Sequence, residues 1–281
     1  MKRKLALYWK LIKSLQTGLL LATGLSGYMS ARCPIFNLAT LFSIAGSLFL
    51  AISGSTVLNM WYDRDIDARM KRTCARPLAS AQISPREALA TGVILSTAGV
   101  VWAVYLDRLF GAIVFAGLFF DVFFYTVWLK RRTCWAILWG GISGGMPVLA
   151  GRALAVGGMD WVAAALSLAV LFWIPTHILT FSMRYHGDYR AAGIPTFPST
   201  YGFRFTRITI AVSSVLAALM MGLAGYGIGM HWGYLRLLVV LSALLLFLAV
   251  FSLLRPSERL NYRLFKFASL YMLGSMVLMM V

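Results

Sequence analysis

The chain has 281 residues, of which 60% are hydrophobic and 12% are charged. An average soluble domain has about 45–50% apolar and about 25% charged residues, so this composition excludes an ordinary soluble domain, a disordered chain and a disulfide scaffold. The 26 basic and 9 acidic side chains give a formal net charge of +17, which in a membrane protein reports on orientation in the bilayer.

Nine segments are long and apolar enough to cross about 30 Å of hydrocarbon as helices. In chain order they are 12–31, 35–58, 88–106, 109–129, 135–155, 161–183, 207–229, 233–254 and 265–281. Two long polar stretches interrupt them, at 61–87 and 184–206. We therefore predict an all-α integral membrane protein of nine transmembrane helices, with a single domain over residues 1–281. The three cysteines form no CxxC motif, which predicts neither a zinc site nor a disulfide framework.

The basic residues indicate how the chain is oriented. All but four of the 26 lie in the N-terminal segment, in the loops on its side of the membrane or at the span ends next to them, and the four exceptions are Arg32, Arg108, Arg152 and Arg236. Because positive charge marks the cytoplasmic face, we expect the N-terminus and both polar stretches to be cytoplasmic. The N-terminal sequence shows no cleavage or transit pattern, which favours a prokaryotic plasma membrane. The charge therefore requires no nucleic-acid partner.

Three polar residues, Asn59, Asp63 and Asp67, follow each other at intervals of four where the second span ends. If the helix continues, they form one stripe along it, and Asp65 falls on another face. Two carboxylates at this spacing destabilise a helix unless a cation neutralises them. Mg²⁺ suits the position, because it takes one or two carboxylates together with water and phosphate oxygens. The alternative is a polar helix end whose charges are solvated or paired.

Basic and aromatic side chains accompany these acids. Lys71, Arg72 and Arg76 follow the stripe and could bind the negative charge of a diphosphate. In the second polar stretch Asp188 is surrounded by two tyrosines and two arginines, which are Tyr185, Tyr189, Arg184 and Arg190. Since both stretches are expected on one face, the stripe and Asp188 could meet across a central cavity. The alternative is that Asp188 pairs with Arg184 or Arg190 in a solvated loop.

Three further residues leave alternatives open. His177 lies within an apolar span, where it either bonds a neighbouring helix or faces the cavity as a haem ligand or polar anchor. Lys130 ends the fourth span beside Tyr125 and either contacts substrate or extends to the headgroups. Asp121 lies a turn deeper, where a bare charge costs about 2.5–3.5 kcal/mol, so it is neutral, paired or cavity-facing.

The sequence resembles the UbiA superfamily of intramembrane prenyltransferases, and within it the branch that farnesylates protohaem IX. The resemblance extends from about Lys13 to beyond Gly202. It rests on DRDIDARMKRTCARPL at 63–78, YTVWLKRRT at 125–133, Pro-x-His at 175–177 and DYRAAGIPTFP at 188–198. The chain departs from the branch at Ser14, where proline usually follows the lysine, at Ile174–Leu179, and at Asp121, where an uncharged residue is usual.

The resemblance implies nine helices around a cavity that opens laterally to lipid under two cytoplasmic loops. It implies that Asn59, Asp63 and Asp67 bind a prenyl diphosphate through Mg²⁺, and that Asp188 serves a second metal site. We take these four as the catalytic and metal-binding candidates. The expected substrate contacts are Arg72, Arg76, Tyr125, Lys130, His177, Arg184 and Tyr189.

The implied reaction transfers a farnesyl group from farnesyl diphosphate to a vinyl group of haem B, which is a substrate and not a cofactor, and so makes haem O. The lipid bilayer is the expected surrounding, and haem A synthase or terminal-oxidase assembly factors are candidate partners. One alternative is a UbiA-type enzyme with another lipophilic aromatic or quinone-precursor acceptor. The others are a transporter, which usually places ionisable groups near the midplane, and a non-catalytic haem-handling protein.

Overall fold

The computed structural model describes residues 2–31 and 37–280, in which helices are the only regular secondary structure. Arg32, Cys33 and the first two residues of the predicted span 35–58 lie outside the described residues, as does Val281. The all-α prediction is confirmed over the described ranges.

Twelve α-helices and one π-helical segment make up the described chain. In order they are α1 (Lys2–Leu11), α2 (Ser14–Met29), α3 (Leu38–Tyr62), α4 (Arg64–Arg69), α5 (Pro85–Leu106), α6 (Arg108–Phe119), the π-helical segment π1 (Phe120–Leu129), α7 (Ala136–Val156), α8 (Trp161–Arg184), α9 (His186–Ala191), α10 (Phe197–Ile228), α11 (Trp232–Leu254) and α12 (Glu258–Leu278). A helix overlaps each of the nine predicted spans.

Six helical stretches of the described chain are long and apolar enough to cross a membrane, and they are α3, α5, α6 with π1, α8, α10 and α11. Of the rest, α2 has only 16 residues, fewer than the roughly 20 that span the hydrocarbon. The first turns of α12 carry charge on Glu258, Arg259, Arg263 and Lys266.

Polar caps set the helix boundaries. Ser84 accepts the backbone N–H of Glu87 at 3.1 Å before α5, and Asp107 accepts that of Phe110 at 2.7 Å between α5 and α6. Each side chain satisfies a donor that has no partner within its helix. A single residue therefore separates α5 from α6, which agrees with the two-residue gap between the predicted spans 88–106 and 109–129.

α10 begins earlier than the predicted span 207–229. Thr196 and Ser199 form a capping box that starts the helix at Phe197. Gly202 then adopts φ 79°, a left-handed value that glycine tolerates without cost, and this produces a kink. The second polar stretch is thus partly helical, because local capping outweighs its polar composition.

Small residues bring neighbouring helices into close contact. α2 crosses α7 where Gly151 lies against the carbonyl oxygen of Gly24, so that no Cβ would fit. α3 crosses α5 in the same way, with Gly99 against the backbone of Ala51. Because lipid supplies no hydrophobic driving force between helices, such backbone approach is a main source of packing energy in a bilayer. The α3–α5 contact holds the helix that carries the predicted stripe.

Candidate active site

The predicted stripe forms at the junction of α3 and α4. Asp63 has φ −87° and ψ 5°, which ends α3. The four-residue hydrogen-bond pattern nevertheless continues, from the N–H of Asp63 to Asn59 at 3.0 Å and from the N–H of Asp67 to Asp63 at 2.8 Å. Their side chains are buried, with relative exposures of 7% for Asn59, 1% for Asp63 and 6% for Asp67. The three residues therefore face the protein interior.

A separate cation neutralises each carboxylate of the stripe. Nη1 of Arg76 donates to both oxygens of Asp67, at 2.8 and 2.7 Å. Nζ of Lys130 donates to Oδ2 of Asp63, while Oδ1 of Asp63 is buried without a hydrogen-bond partner and lies 3.8 Å from Nη2 of Arg131. The repulsion expected between carboxylates four residues apart is thus relieved by protein cations. No three His, Cys, Asp or Glu side chains of the described chain form a metal-binding cluster.

Asp65 lies off the stripe, as predicted. Its two oxygens accept from Nη2 and Nη1 of Arg131 at 2.7 and 2.9 Å, and Nη2 also donates to the carbonyl of Tyr62 at 2.8 Å. The hydrogen bond from Arg131 lowers the pKa of Asp65 and so keeps it ionised. This pair fixes the end of π1 to the α3–α4 junction, a role the sequence did not indicate for Arg131.

Lys130, a predicted substrate contact, lies among the acids of the site. Its Nζ is 5.4 Å from the centre of the Tyr125 ring, in addition to pairing with Asp63. Burial alone lowers the pKa of Lys130, but the electrostatic influence of Tyr125, Asp63 and Tyr189 outweighs burial and the net pKa is raised. Lys130 therefore carries its charge within the site and does not extend to the headgroups.

A second group of contacts links π1 to α3. Nδ2 of Asn59 donates to the hydroxyl of Thr126 at 2.7 Å, and that hydroxyl donates to the carbonyl of Asp121 at 2.8 Å. The carboxylate of Asp121 accepts a hydrogen bond from Ser55, one turn before Asn59. Asp121 is therefore hydrogen-bonded to the helix that carries the stripe. Ser55 continues the four-residue spacing of the stripe, a signal that could have been read from the sequence.

The two polar stretches meet, as the sequence predicted. Oδ2 of Asp188 accepts the backbone N–H of Arg72 at 3.2 Å. The guanidinium of Arg72 lies 4.7 Å from the ring centre of Phe181 and 5.3 Å from that of Tyr185. An apolar cluster of buried side chains seals the contact, with Tyr189 packed against it, and its members are Ile66, Met70, Ala192 and Ile194. Asp188 is thus held against the segment that follows the stripe.

Asp188 contacts the backbone of Arg72 without the involvement of Arg184 or Arg190. The guanidinium of Arg184 lies 4.2 Å from the ring centre of Tyr262 on α12 and 5.8 Å from that of Tyr185. Arg184 is exposed, and its cation–π contacts turn it toward α12. Among the described residues, Arg184 therefore contacts aromatic rings and forms no ion pair with Asp188.

His177 contacts α12. Its ring stacks between Trp173 and Phe265, at centroid distances of 5.0 and 4.6 Å. Its Nδ1 lies 3.2 Å from the hydroxyl of Ser269. His177 therefore hydrogen-bonds to a neighbouring helix through Nδ1, which is one of the two roles left open by the sequence.

Lys13 is a basic residue near the site that is not among the candidates predicted from the sequence. It lies in the bend between α1 and α2 with φ 45° and ψ 59°, a left-handed conformation that is uncommon for lysine. Burial and the positive charges of Arg76 and Lys130 together lower the pKa of Lys13 to about 8, and the carboxylates of Asp121 and Asp67 only partly oppose them. A signal existed in the sequence, since Lys13 is the lysine at which the resemblance begins.

Comparison with known proteins agrees with this architecture. The sequence profile of the UbiA prenyltransferase family matches residues 20–271. A protoheme IX farnesyltransferase of Archaeoglobus fulgidus is 40% identical over 271 residues, which cover 95% of this chain and 94% of the relative. A protoheme IX farnesyltransferase of Thermofilum pendens is 35% identical over 267 residues, which cover 94% and 93%.

Solved structures share the fold. A digeranylgeranylglyceryl phosphate synthase structure aligns with a TM-score of 0.79 at 20% identity, over 99% of this chain and 98% of that chain. A UbiA homologue from Archaeoglobus fulgidus, bound to GPP and Mg²⁺, aligns with a TM-score of 0.72 at 15% identity, over 98% and 100%. Together with the profile match, these similarities lead to one conclusion: the chain is a multi-pass membrane protein that belongs to the UbiA prenyltransferase family.

Proposed function

We propose that this chain transfers the farnesyl group of farnesyl diphosphate to a vinyl group of haem B, producing haem O and pyrophosphate. The observation that carries the proposal is the buried Asn59–Asp63–Asp67 stripe, whose carboxylates lie beside Arg76 and Lys130. The names of relatives that are 35–40% identical over most of the chain supply the acceptor.

The stripe fits a magnesium–diphosphate complex by its donor chemistry. Its side chains offer oxygens, the ligand type that Mg²⁺ prefers, and Oδ1 of Asp63 is buried without a hydrogen-bond partner. Asn59, Asp63 and Asp67 would hold the ion, with Asp188 serving a second one. When bound, Mg²⁺ neutralises the negative charge that grows on the departing diphosphate.

Arg76 and Lys130 have the charge to hold the diphosphate directly. In the described structure they neutralise Asp67 and Asp63, and a diphosphate provides stronger anionic partners at the same place. Their contacts strengthen as the C1–O bond breaks and its electron pair moves to the diphosphate, which lowers the barrier. Arg72, Tyr125 and Tyr189 border the same region and complete the set of donors around the leaving group.

The allylic cation that remains must be kept from water until it meets the acceptor. The vinyl π electrons of haem B form the new C–C bond to C1 of the farnesyl group. Water then adds to the resulting cation and loses a proton, which leaves a hydroxyethylfarnesyl substituent. His177 would orient the haem through Nε2, since its Nδ1 lies against Ser269. Arg184 would lie toward the acceptor side of the second loop.

We also infer the arrangement in the membrane. All nine predicted spans cross the bilayer around a lipid-accessible cavity. They are the six long apolar stretches together with α2, α7 and α12. The basic residues favour a cytoplasmic N-terminus and a cytoplasmic active site in a prokaryotic plasma membrane. Haem A synthase and terminal-oxidase assembly factors remain candidate partners, because they would consume the product.

One incubation tests the reaction. Purified protein is mixed with haem B, farnesyl diphosphate and Mg²⁺, and the molecular mass of the lipophilic product is measured by mass spectrometry. We expect haem that has gained one farnesyl group and one hydroxyl group, with one pyrophosphate released per product. Pyrophosphate release without farnesylated haem would indicate a different acceptor, and no release under any condition would favour a transporter or a non-catalytic protein.

A further inference from the structure

The hydroxyl of Thr126 has a defined direction. Thr126 is fully buried, and its hydroxyl lies 2.8 Å from the backbone carbonyl of Asp121, which can only accept. Because a hydroxyl has one hydrogen to donate, its oxygen must act as the acceptor toward the Asn59 side chain, 2.7 Å away. Asn59 therefore presents its amide nitrogen to π1, and its amide oxygen is the atom that remains for a ligand.

The π-helical turn is what allows this arrangement. Thr126 follows Asp121 by five residues, which is the hydrogen-bond spacing of a π-helix. In an α-helix a residue five positions later lies about 140° around the axis from the first, so its side chain would not reach that carbonyl. The same spacing recurs where the N–H of Lys130 donates to Tyr125 at 2.9 Å. The turn thus serves both Thr126 and the lysine of the site.

Two contacts on either side fix the register of π1 against α3. Ser55, one turn before Asn59, donates to the carboxylate of Asp121. One turn after Asn59, the carboxylate of Asp63 accepts from Lys130. The bond between Asn59 and Thr126 lies between these two, so the Asn59 side chain is held within a fixed frame.

We propose that Thr126 is a positioning residue, which locks the Asn59 amide with its oxygen available to the Mg²⁺–diphosphate complex. This inference rests on the proposed function, since it assigns the Asn59 oxygen to that complex. An amide that rotated by half a turn would present its NH₂ group, which cannot coordinate a cation that binds oxygen. Removing the hydroxyl also leaves a buried N–H without a partner and so favours rotation.

The test measures binding and not turnover. The probe is the unreactive thio analogue of farnesyl diphosphate, and its dissociation constant is measured by calorimetry with and without Mg²⁺. The ratio of the two constants is the Mg²⁺-dependent gain in affinity. We expect Thr126→Val to reduce this gain about tenfold, as the loss of a residue that orients a metal ligand typically does. The affinity without Mg²⁺ should stay as in the wild type, and Thr126→Ser should restore the gain.

Two further variants separate positioning from folding. Thr206→Val removes another fully buried hydroxyl, which donates to the carbonyl of Gly202 at 2.8 Å away from the stripe, and it should keep the full gain. Thr126→Ala serves if the valine variant does not fold. In an Asn59→Ala background, Thr126→Val should have no additional effect, because Thr126 acts only through Asn59.

The outcomes distinguish this inference from the proposed function. The inference would be overturned if Thr126→Val or Thr126→Ala kept the full Mg²⁺-dependent gain in affinity. It would also be overturned if Thr126→Val reduced that gain equally in the Asn59→Ala background. In both cases the wild type would still make haem O, so the proposed function would stand. An equal loss of affinity with and without Mg²⁺ would mean a structural role and would also overturn it. A wild type that shows no gain would remove the metal assignment, and the inference with it.

Discussion

Arg76 and Asp67 form a partly buried ion pair across nine residues of chain, with one guanidinium nitrogen 2.8 and 2.7 Å from the two carboxylate oxygens. The side chains keep exposures of 25% and 8%, so the pair is shielded from most solvent. This ion pair fixes the position of the Arg76 guanidinium beside the stripe.

Removing the charge of Arg76 should weaken substrate binding. We expect Arg76→Gln to raise the KM for farnesyl diphosphate at least about tenfold, because a charge-assisted contact contributes about 1.5–3 kcal/mol. Arg69→Gln is the matched control, since Arg69 is an exposed cation of the same segment. Steady-state kinetics with membranes or purified protein give the comparison. Equal KM values for both variants would contradict a diphosphate-binding role for Arg76.

The acids of the stripe should differ from their neighbour Asp65. We expect Asp63→Asn and Asp67→Asn each to reduce the conversion of haem B to haem O at least about a hundredfold, because an amide cannot supply the negative charge that holds a divalent cation. Asp65→Asn should stay within about threefold of the wild type, since it disrupts an exposed pair with Arg131 that contributes little. Comparable losses in all three variants would point to the α3–α4 junction and not to the stripe.

Lys13 should make binding depend on pH. Its pKa of about 8 lies below the ordinary value of 10.5, so Lys13 loses its charge above pH 8 in the free protein. We expect the KM for farnesyl diphosphate to be constant below pH 8 and to rise above it, by up to about tenfold per pH unit. Lys13→Arg should abolish the rise, because arginine stays charged. An unchanged pH profile in Lys13→Arg would separate Lys13 from the substrate.

The same shift has the opposite effect on stability. Between pH 8 and 10.5 the unfolded chain binds more protons at Lys13 than the folded chain does, so this group makes the free energy of unfolding increase with pH in that window. Binding and stability therefore change in opposite directions as the pH rises. Thermal unfolding in detergent at matched pH values measures the second effect independently of the first.

A further ion pair, between Arg152 and Asp160, lies near the C-terminal end of α7 and should affect only stability. Arg152 is buried, and its Nη2 donates to Asp160 at 2.7 Å while Nη1 donates to the carbonyl of Ser30 at 2.7 Å. We expect Asp160→Asn to lower the free energy of unfolding by about 2 kcal/mol, because it leaves Arg152 without its anion. The variant should keep the helix cap to Ala163 and normal catalytic activity. Asp107→Asn, at a cap whose described contacts include no ion pair, should change stability by far less.

Much of the site could be predicted because it depends on local spacing. Asn59, Asp63 and Asp67 share a face since a helix repeats nearly every four residues, and the distortion at Asp63 is too small to disturb that repeat. The expectation that the two polar stretches meet also holds, through Asp188 and Arg72. Membership of the UbiA family, predicted from the motifs, is confirmed.

Other features depend on which side chains meet after folding. The sequence placed Arg184 with Asp188, but its aromatic contacts turn it toward α12. It left Asp121 undecided, because whether a buried acid has a partner depends on a residue of another helix, here Ser55. Thr126 was not singled out at all, since neither its residue type nor its position indicates a π-helical turn.

By itself the sequence determined the membrane class, the helical segments and the stripe of acids, because hydrophobic length and helical periodicity are properties of consecutive residues. Only the tertiary structure decided which cation neutralises which acid. Lys130 reaches Asp63 across 67 residues of chain, and no periodicity extends over that distance. That pairing follows from the packing of α3 against π1, where burial makes an unpaired charge too costly to persist.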